Sequence, residues 1–308
     1  MENYSESISP LFPSQIIDET NIDSPIVMTL GDRMKMYECN YDKNVPNDHY
    51  FCIRSDGHGF SKFTKGFVKP YDERFIKAMV ICAYDALCEF NARTAFCQSD
   101  EITLIFNKSD LEKKQTHMYN GRVQKLVSLV SSFISVRFNF HLKTVINEFI
   151  LQNPKQAVYS AKILDKINNY SAYFDSRILS WDEKQKYELS NHMIWRSNYD
   201  CHRNSIQTYA YHAFGPKKIH GMNGERMIKL LETEKNIFWE NDIPFHHKYG
   251  IYIKKQLVNI ETEYGPSQRG RIAAMSIRAQ SSPDFLEFLL SVYYHQFASL
   301  CSIAYATC

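Results

Sequence analysis

No apolar run in the sequence reaches the length of a bilayer-spanning helix, so a membrane-embedded fold is not expected. A large excess of charge of one sign is missing too. The 36 Lys and Arg against 34 Asp and Glu leave a net charge of +2, so any surface for a polyanion must come from local clustering. Paired cysteines are absent. The eight cysteines stand alone at positions 39, 52, 82, 88, 97, 201, 301 and 308, with no Cys-x-x-Cys spacing. Several fall inside apolar segments, which fits a reduced, intracellular set better than a disulfide framework. There is no internal repeat and no low-complexity tract. The opening Met1-Glu2-Asn3-Tyr4-Ser5-Glu6 is acidic and lacks both a signal-peptide apolar region and the Arg-rich face of a transit peptide. The expected location is therefore cytoplasmic, with mitochondria left open.

What is present is enough for a sizeable core. The chain is 44% hydrophobic with 20 Tyr and 20 Phe, and its 308 residues suit one large domain or two small ones. The most informative stretch runs from Phe51 to Phe106. Two short apolar runs there end at acidic residues: Tyr50 to Ile53 leads into Asp56-Gly57, and Ala95 to Cys97 leads into Asp100-Glu101, followed by Ile102 to Phe106. Such runs read as buried strands. Between them Phe75, Ile76, Met79, Val80, Ala83, Leu87 and Phe90 recur at helical spacing, with Asp72 and Glu73 in the first turn, where negative charge suits the dipole. Strand, helix, strand and hairpin partner make a split β-α-β arrangement. If the strands lie side by side, Asp56 and Asp100 meet at one sheet edge. Two carboxylates that close repel unless cations neutralise them, and Mg²⁺ is the natural partner because it prefers oxygen ligands and brings phosphates. Gly57 permits a sharp turn and leaves its carbonyl open as a further ligand.

Three segments in this order, Asp56-Gly-His-Gly-Phe60, Lys69-Pro-Tyr-Asp72 and Gln98-Ser-Asp-Glu101, together resemble the tRNA-His guanylyltransferase superfamily of 3′-5′ RNA polymerases. The Leu30-Gly-Asp-Arg-Met-Lys35 segment is similar to its usual opening. The resemblance covers roughly residues 28 to 260. It implies an α+β fold with a polymerase palm-like, ferredoxin-like split β-α-β catalytic core and a helical C-terminal extension. The expected organisation is an irregular arm over 1–27, the palm-like domain over 28–157, and an RNA-handling portion over 158–308 packed on it.

The resemblance also implies roles. Asp56 and Asp100 are expected to hold two Mg²⁺ ions with the Gly57 carbonyl, and Glu101 to support them. Asp56, Gly57, His58, Gly59, Phe60, Ser61, Lys69, Asp72, Ser99 and Asp100 are expected to contact ATP, GTP or another NTP. Arg122 and Lys125, three apart on a second amphipathic helix over about 119–138, read alone as a solvated face. With the resemblance they read as triphosphate contacts. The segment Trp195-Arg-Ser-Asn-Tyr-Asp200-Cys-His-Arg-Asn-Ser205 is similar to the family's Trp-Arg-x-x-Asp-x-His-x-Asn, with one extra residue before Asp200. Its His202, Arg203, Asn204 and Ser205 are expected to contact RNA, so tRNA is the expected partner, and the family implies a homotetramer.

Departures from the family pattern point to its guanylyltransferase-like branch. His58 replaces the usual Arg, and Ser61 stands where tRNA-His enzymes carry His. Arg203-Asn204-Ser205 replaces Ile-Asn-Asn. The expected activity is template-dependent addition to the 5′ end of tRNA, with single-G addition to tRNA-His as the alternative. A palm-domain nucleotide cyclase and a non-catalytic tRNA-binding protein are the other readings. Elsewhere, Val158 to Leu164 and Tyr173 to Leu179 read as strands. His202 beside Cys201, and His246-His247 on a strand, read as polar packing or RNA contacts, because adjacent side chains diverge and cannot form a compact ligand set.

Overall fold

The computed structural model describes residues 29–293 and the backbone of 303–305. The expected N-terminal arm, Cys301 and Cys308 lie outside the described residues. Internal contacts divide the chain after Asp42. Before that point lies α1 (Leu30–Cys39), whose N-cap Thr29 hydroxyl accepts from Asp32 N at 3.1 Å, and which buries none of its residues.

From Lys43 onward the elements are β1 (Tyr50–Gly57), α2 (Phe60–Phe63), α3 (Glu73–Glu89), β2 (Thr94–Gln98), β3 (Glu101–Phe106), α4 (Val123–Gln152), α5 (Ala161–Asn168) and β4 (Phe174–Trp181). Then come α6 (Tyr187–Ile194), a π-helical segment (Trp195–Cys201) and α7 (His202–Phe214). They are followed by α8 (Pro216–Ile219), α9 (Gly224–Lys235), α10 (Trp239–Asp242) and α11 (Phe245–Tyr249). Last are β5 (Ile251–Thr262), β6 (Gly265–Ser276), α12 (Pro283–Leu290) and β7 (Ile303–Tyr305). The strands form one antiparallel sheet in the order β4-β1-β3-β2-β5-β6-β7. Because β3 is antiparallel to both its neighbours, β1 and β2 run parallel with β3 inserted between them, and α3 makes the crossover.

Alternating side chains explain why these strands are apolar at almost every position. Phe51, Ile53, Ala95, Cys97, Ile102, Leu104 and Ile253 face α3 and α4, while Cys52, Phe96, Ile105 and Tyr252 face α6 and α12. A sheet covered on both faces needs hydrophobic residues at odd and even positions alike. Ala78, Ala83 and Ala86 let α3 approach the sheet closely. A third cluster, with Ile206, Ala210, Leu231 and Trp239, holds α7, α9 and α10 together.

Some expectations need correction. The run from Val158 to Leu164 is not a strand: α5 starts at Ala161 and buries Ile163 and Ile167, one helical turn apart. A short apolar run cannot tell the two periods apart. The second amphipathic helix extends to Gln152, ending only where Asn153-Pro154 stops it. The C-terminal extension is not simply helical, because β5 and β6 carry the chain back into the sheet. β4, beyond the expected boundary at 157, flanks β1 in the same sheet. No helix among the described residues is long and apolar enough to cross a membrane.

Lys254 on β5 is fully buried and donates to Ser291 O at 2.8 Å, Thr94 Oγ1 at 2.9 Å and Arg93 O at 3.2 Å. Ser291 caps the C-terminus of α12, where a cation suits the dipole. Burial nevertheless pushes the ammonium from its ordinary 10.5 down to about 7, with Arg93 adding to the shift. Between those values the unfolded chain binds a proton that the folded chain has released, so this group makes stability rise with pH. Lys254→Met is expected to remove that rise. Across roughly pH 7.5 to 8.5 the stability difference should move in the parent's favour by up to about 1.4 kcal/mol per pH unit. Denaturant titrations over that range check it, and parallel curves would mean the ammonium stays charged in the fold.

Candidate active site

β1 ends in Asp56-Gly57, and Ser99-Asp100 form the two-residue tip between β2 and β3. Asp56 lies opposite Glu101 in the strand register, and the Gly57 N–H donates to the Asp100 carbonyl at 3.1 Å. Asp56 and Asp100 consequently line one cleft of about 650 Å³, together with Ser61, Lys69, Ser99 and Asn204. Ser99 has φ +45°, a left-handed conformation uncommon for a residue with a Cβ. Its hydroxyl donates to Asp100 Oδ1 at 2.9 Å. Burial pushes the Asp100 carboxyl up to about 6; the Ser99 hydrogen bond opposes this and the Asp56 charge reinforces it.

The turn after Asp56 is shaped by two glycines. A Cβ at Gly57 would lie 2.3 Å from the Phe60 ring, and Gly59 has φ +66°. Phe60 is buried against Phe63, Phe75, Phe138 and Phe174, which anchors the turn. His58 is exposed, outside the cleft lining, and stacks on Tyr173 at 4.9 Å.

Lys69 lines the cleft, and burial lowers its ammonium against the opposing charge of Asp72. Asp72 also borders the cleft, but its carboxylate is already engaged. Oδ1 accepts from Arg74 N at 3.1 Å and Arg74 Nε at 2.7 Å, while Oδ2 accepts from Tyr159 Oη at 2.7 Å and Val68 N at 3.2 Å. It caps α3 and clamps the loop at Val68, next to Lys69.

Glu101 lines the same cleft but is buried and held by cations. Arg196 binds it through Nε at 2.9 Å and through Nη2, and Arg54 Nε sits 3.6 Å away. Arg196 Nη2 also lies 3.1 Å from Asp200, which Arg203 reaches at 2.7 Å. This network ties the hairpin to the π-helical segment. The π-helical segment carries both Arg196 and Asp200 and keeps them in contact.

The expected RNA-contact quartet divides. Asn204 lines the cleft and Arg203 is exposed beside it in sequence. His202 instead stacks on Tyr249 at 5.4 Å and accepts from Trp239 Nε1 at 3.3 Å, and Ser205 is buried. Arg122 and Lys125 are exposed outside the cleft lining, Lys125 lying over the Tyr119 ring at 5.2 Å.

Several cleft residues carried no assigned role in the sequence, among them Arg54, Arg196, Thr208 and His212, while His246 and His247, read as polar packing or RNA contacts, also line the cleft. Arg196 had a visible signal, since it stands in the Trp-Arg motif. The two adjacent histidines were expected to diverge along a strand. They lie instead on the five-residue α11, and their Nε2 atoms converge on Glu73, 3.4 Å from His246 and 3.0 Å from His247.

The tRNAHis guanylyltransferase family model matches residues 31–182. An uncharacterized protein of Acanthamoeba polyphaga mimivirus is 46% identical over 280 residues, covering 89% of this chain and 94% of its own length. A bacterial tRNA(His) guanylyltransferase-like protein solved in complex with ATP is similar with TM-score 0.59 and 28% identity, over 78% of this chain and 92% of that one. A second such structure, in complex with GTP, gives TM-score 0.57 and 25% identity over 79% and 89%. With the paired aspartates of the matched region gathered at one cleft, the chain belongs to the tRNA-His guanylyltransferase superfamily of nucleotidyltransferases.

Proposed function

We propose that this chain is a 3′-5′ nucleotidyltransferase that extends the 5′ end of tRNA, using the opposite strand as template, in repair or editing. The observation that carries the reading is the meeting of Asp56 and Asp100 with Ser61, Lys69 and Asn204 in one cleft. On this reading β1, α3, β2 and β3 form a polymerase palm, and residues 158–308 handle the RNA.

The donor set suits magnesium. Neither Asp56 nor Asp100 takes part in an ion pair among the described residues, and they approach each other as like charges. Asp56, Asp100 and the Gly57 carbonyl would hold two Mg²⁺ ions. When bound, such ions neutralise charge on attacking and leaving oxygens. The chain's own residues bind and orient. Lys69, Ser61 and the Gly59–Phe60 end of the turn meet triphosphate oxygens, and Arg203 and Asn204 meet the RNA. A 5′-monophosphate oxygen attacks the α-phosphorus of ATP and pyrophosphate leaves. The 3′-hydroxyl of an incoming GTP or other NTP then attacks the activated 5′ phosphorus and AMP leaves; an RNA carrying a 5′-triphosphate skips the first step.

His58 and the Arg203-Asn204-Ser205 form support template-dependent addition over single-G addition. A net charge of +2 leaves little attraction for a long polyanion in one subunit, which supports pooling of Arg and Lys in a homotetramer.

The test is to incubate the full chain with Mg²⁺, ATP, NTPs and a 5′-truncated tRNA, then sequence the 5′ ends. Nucleotides complementary to the opposite strand are expected. One G added regardless of template would favour the tRNA-His enzyme. Cyclic nucleotide formed from ATP alone, or RNA bound without either product, would overturn the reading.

A further inference from the structure

Glu73, His246 and His247 form a second cluster of metal-ligating groups, whose two histidines line the same cleft as the paired aspartates. Their ligand atoms all lie within 4.8 Å of one another. We propose that they hold one borderline divalent cation, zinc above all, with water in the fourth position. Three features argue for an ion. The first is the donor set: two imidazoles and one carboxylate suit zinc, whereas Mg²⁺ takes oxygen ligands. The second is positioning. His246 and His247 are buried, their rings 4.3 Å apart, and Tyr71 stacks on His247 at 4.3 Å with the planes 21° apart. The third is the outer partner. Tyr209 Oη lies 2.8 Å from His247 Nδ1, so the ring can donate its Nδ1 proton outward while Nε2 faces the ion.

Glu73 provides access, with its side chain 62% exposed beside two nearly enclosed histidines. It is the first residue of α3, directly after Asp72, the residue that clamps the Lys69 loop. An ion here would fasten the start of α3 to α11, at the part of the cleft wall that positions Lys69. This inference stands independently of the reaction proposed above.

The test uses the full chain stripped with a chelator and titrated with Co²⁺ in excess Mg²⁺, which occupies oxygen-only sites. One equivalent per chain is expected, with the visible absorption of a four- or five-coordinate ion, displaced by Zn²⁺. Zn²⁺ should also raise the unfolding midpoint of the parent. Glu73→Gln changes an exposed group and should leave the fold intact. It and His246→Asn should each weaken Co²⁺ affinity about a hundredfold or more, since losing even an outer partner costs roughly ten- to a hundredfold. Asp100→Asn should leave the affinity unchanged. Absence of Co²⁺ binding in excess Mg²⁺, equal affinity in Glu73→Gln and the parent, or loss confined to Asp100→Asn would each overturn the proposal.

Discussion

Asp100→Asn is expected to lower the rate of tRNA 5′ extension about a thousandfold or more, while the metal-free protein unfolds at the same midpoint as the parent or a higher one. Asn keeps the shape of the side chain and an oxygen toward the Ser99 hydroxyl. On the proposed reading it removes the negative charge that would hold a cation, and with it the cation's neutralisation of the transferring phosphate. The stability half of the prediction follows from the environment. Asp100 is half-buried next to Asp56 and takes part in no ion pair among the described residues. Its charge therefore opposes folding when no cation is present, and Asn relieves that. Activity loss together with a lower midpoint would instead make Asp100 a structural residue. Single-turnover extension and thermal unfolding on the same preparation separate the two.

Arg196→Met is expected to do the reverse, with its first effect on stability. Arg196 and Glu101 are both buried, and their contact joins β3 to the π-helical segment. Removing one partner of a buried pair costs about 3–5 kcal/mol, because the other charge stays buried. For a domain of this size the midpoint should fall by roughly 10 °C. Arg54, at 3.6 Å, is too far from Glu101 to replace a bidentate partner. The double variant Glu101→Gln, Arg196→Met should be less destabilised than the two single variants added together, since both charges are gone. Additive losses would mean that the two side chains act separately.

These two residues mark how far the sequence could be read. Asp56 and Asp100 were legible because each follows a short apolar strand, and strand ends beside a crossover helix meet at one edge of a sheet. The sheet core and α3 were legible for the same reason, their periods being clear. Arg196 was not. Its partner Glu101 is 95 residues away, and the contact depends on a π-turn that local periodicity does not reveal. His246 and His247 were misjudged because a five-residue helix carries too little pattern to separate it from a strand end. Asp72 was expected at the cleft and borders it, but only coordinates reveal that four hydrogen bonds occupy its carboxylate.

The central claim is that Asp56 and Asp100 together grip divalent cations where a triphosphate docks. Diffraction from crystals grown with Mn²⁺ and a non-hydrolysable nucleoside triphosphate tests it most directly. The account predicts anomalous peaks between the Asp56 and Asp100 carboxylates, with the triphosphate beside Ser61 and Lys69. Manganese missing from the aspartate pair, or a triphosphate bound away from that cleft, would contradict it.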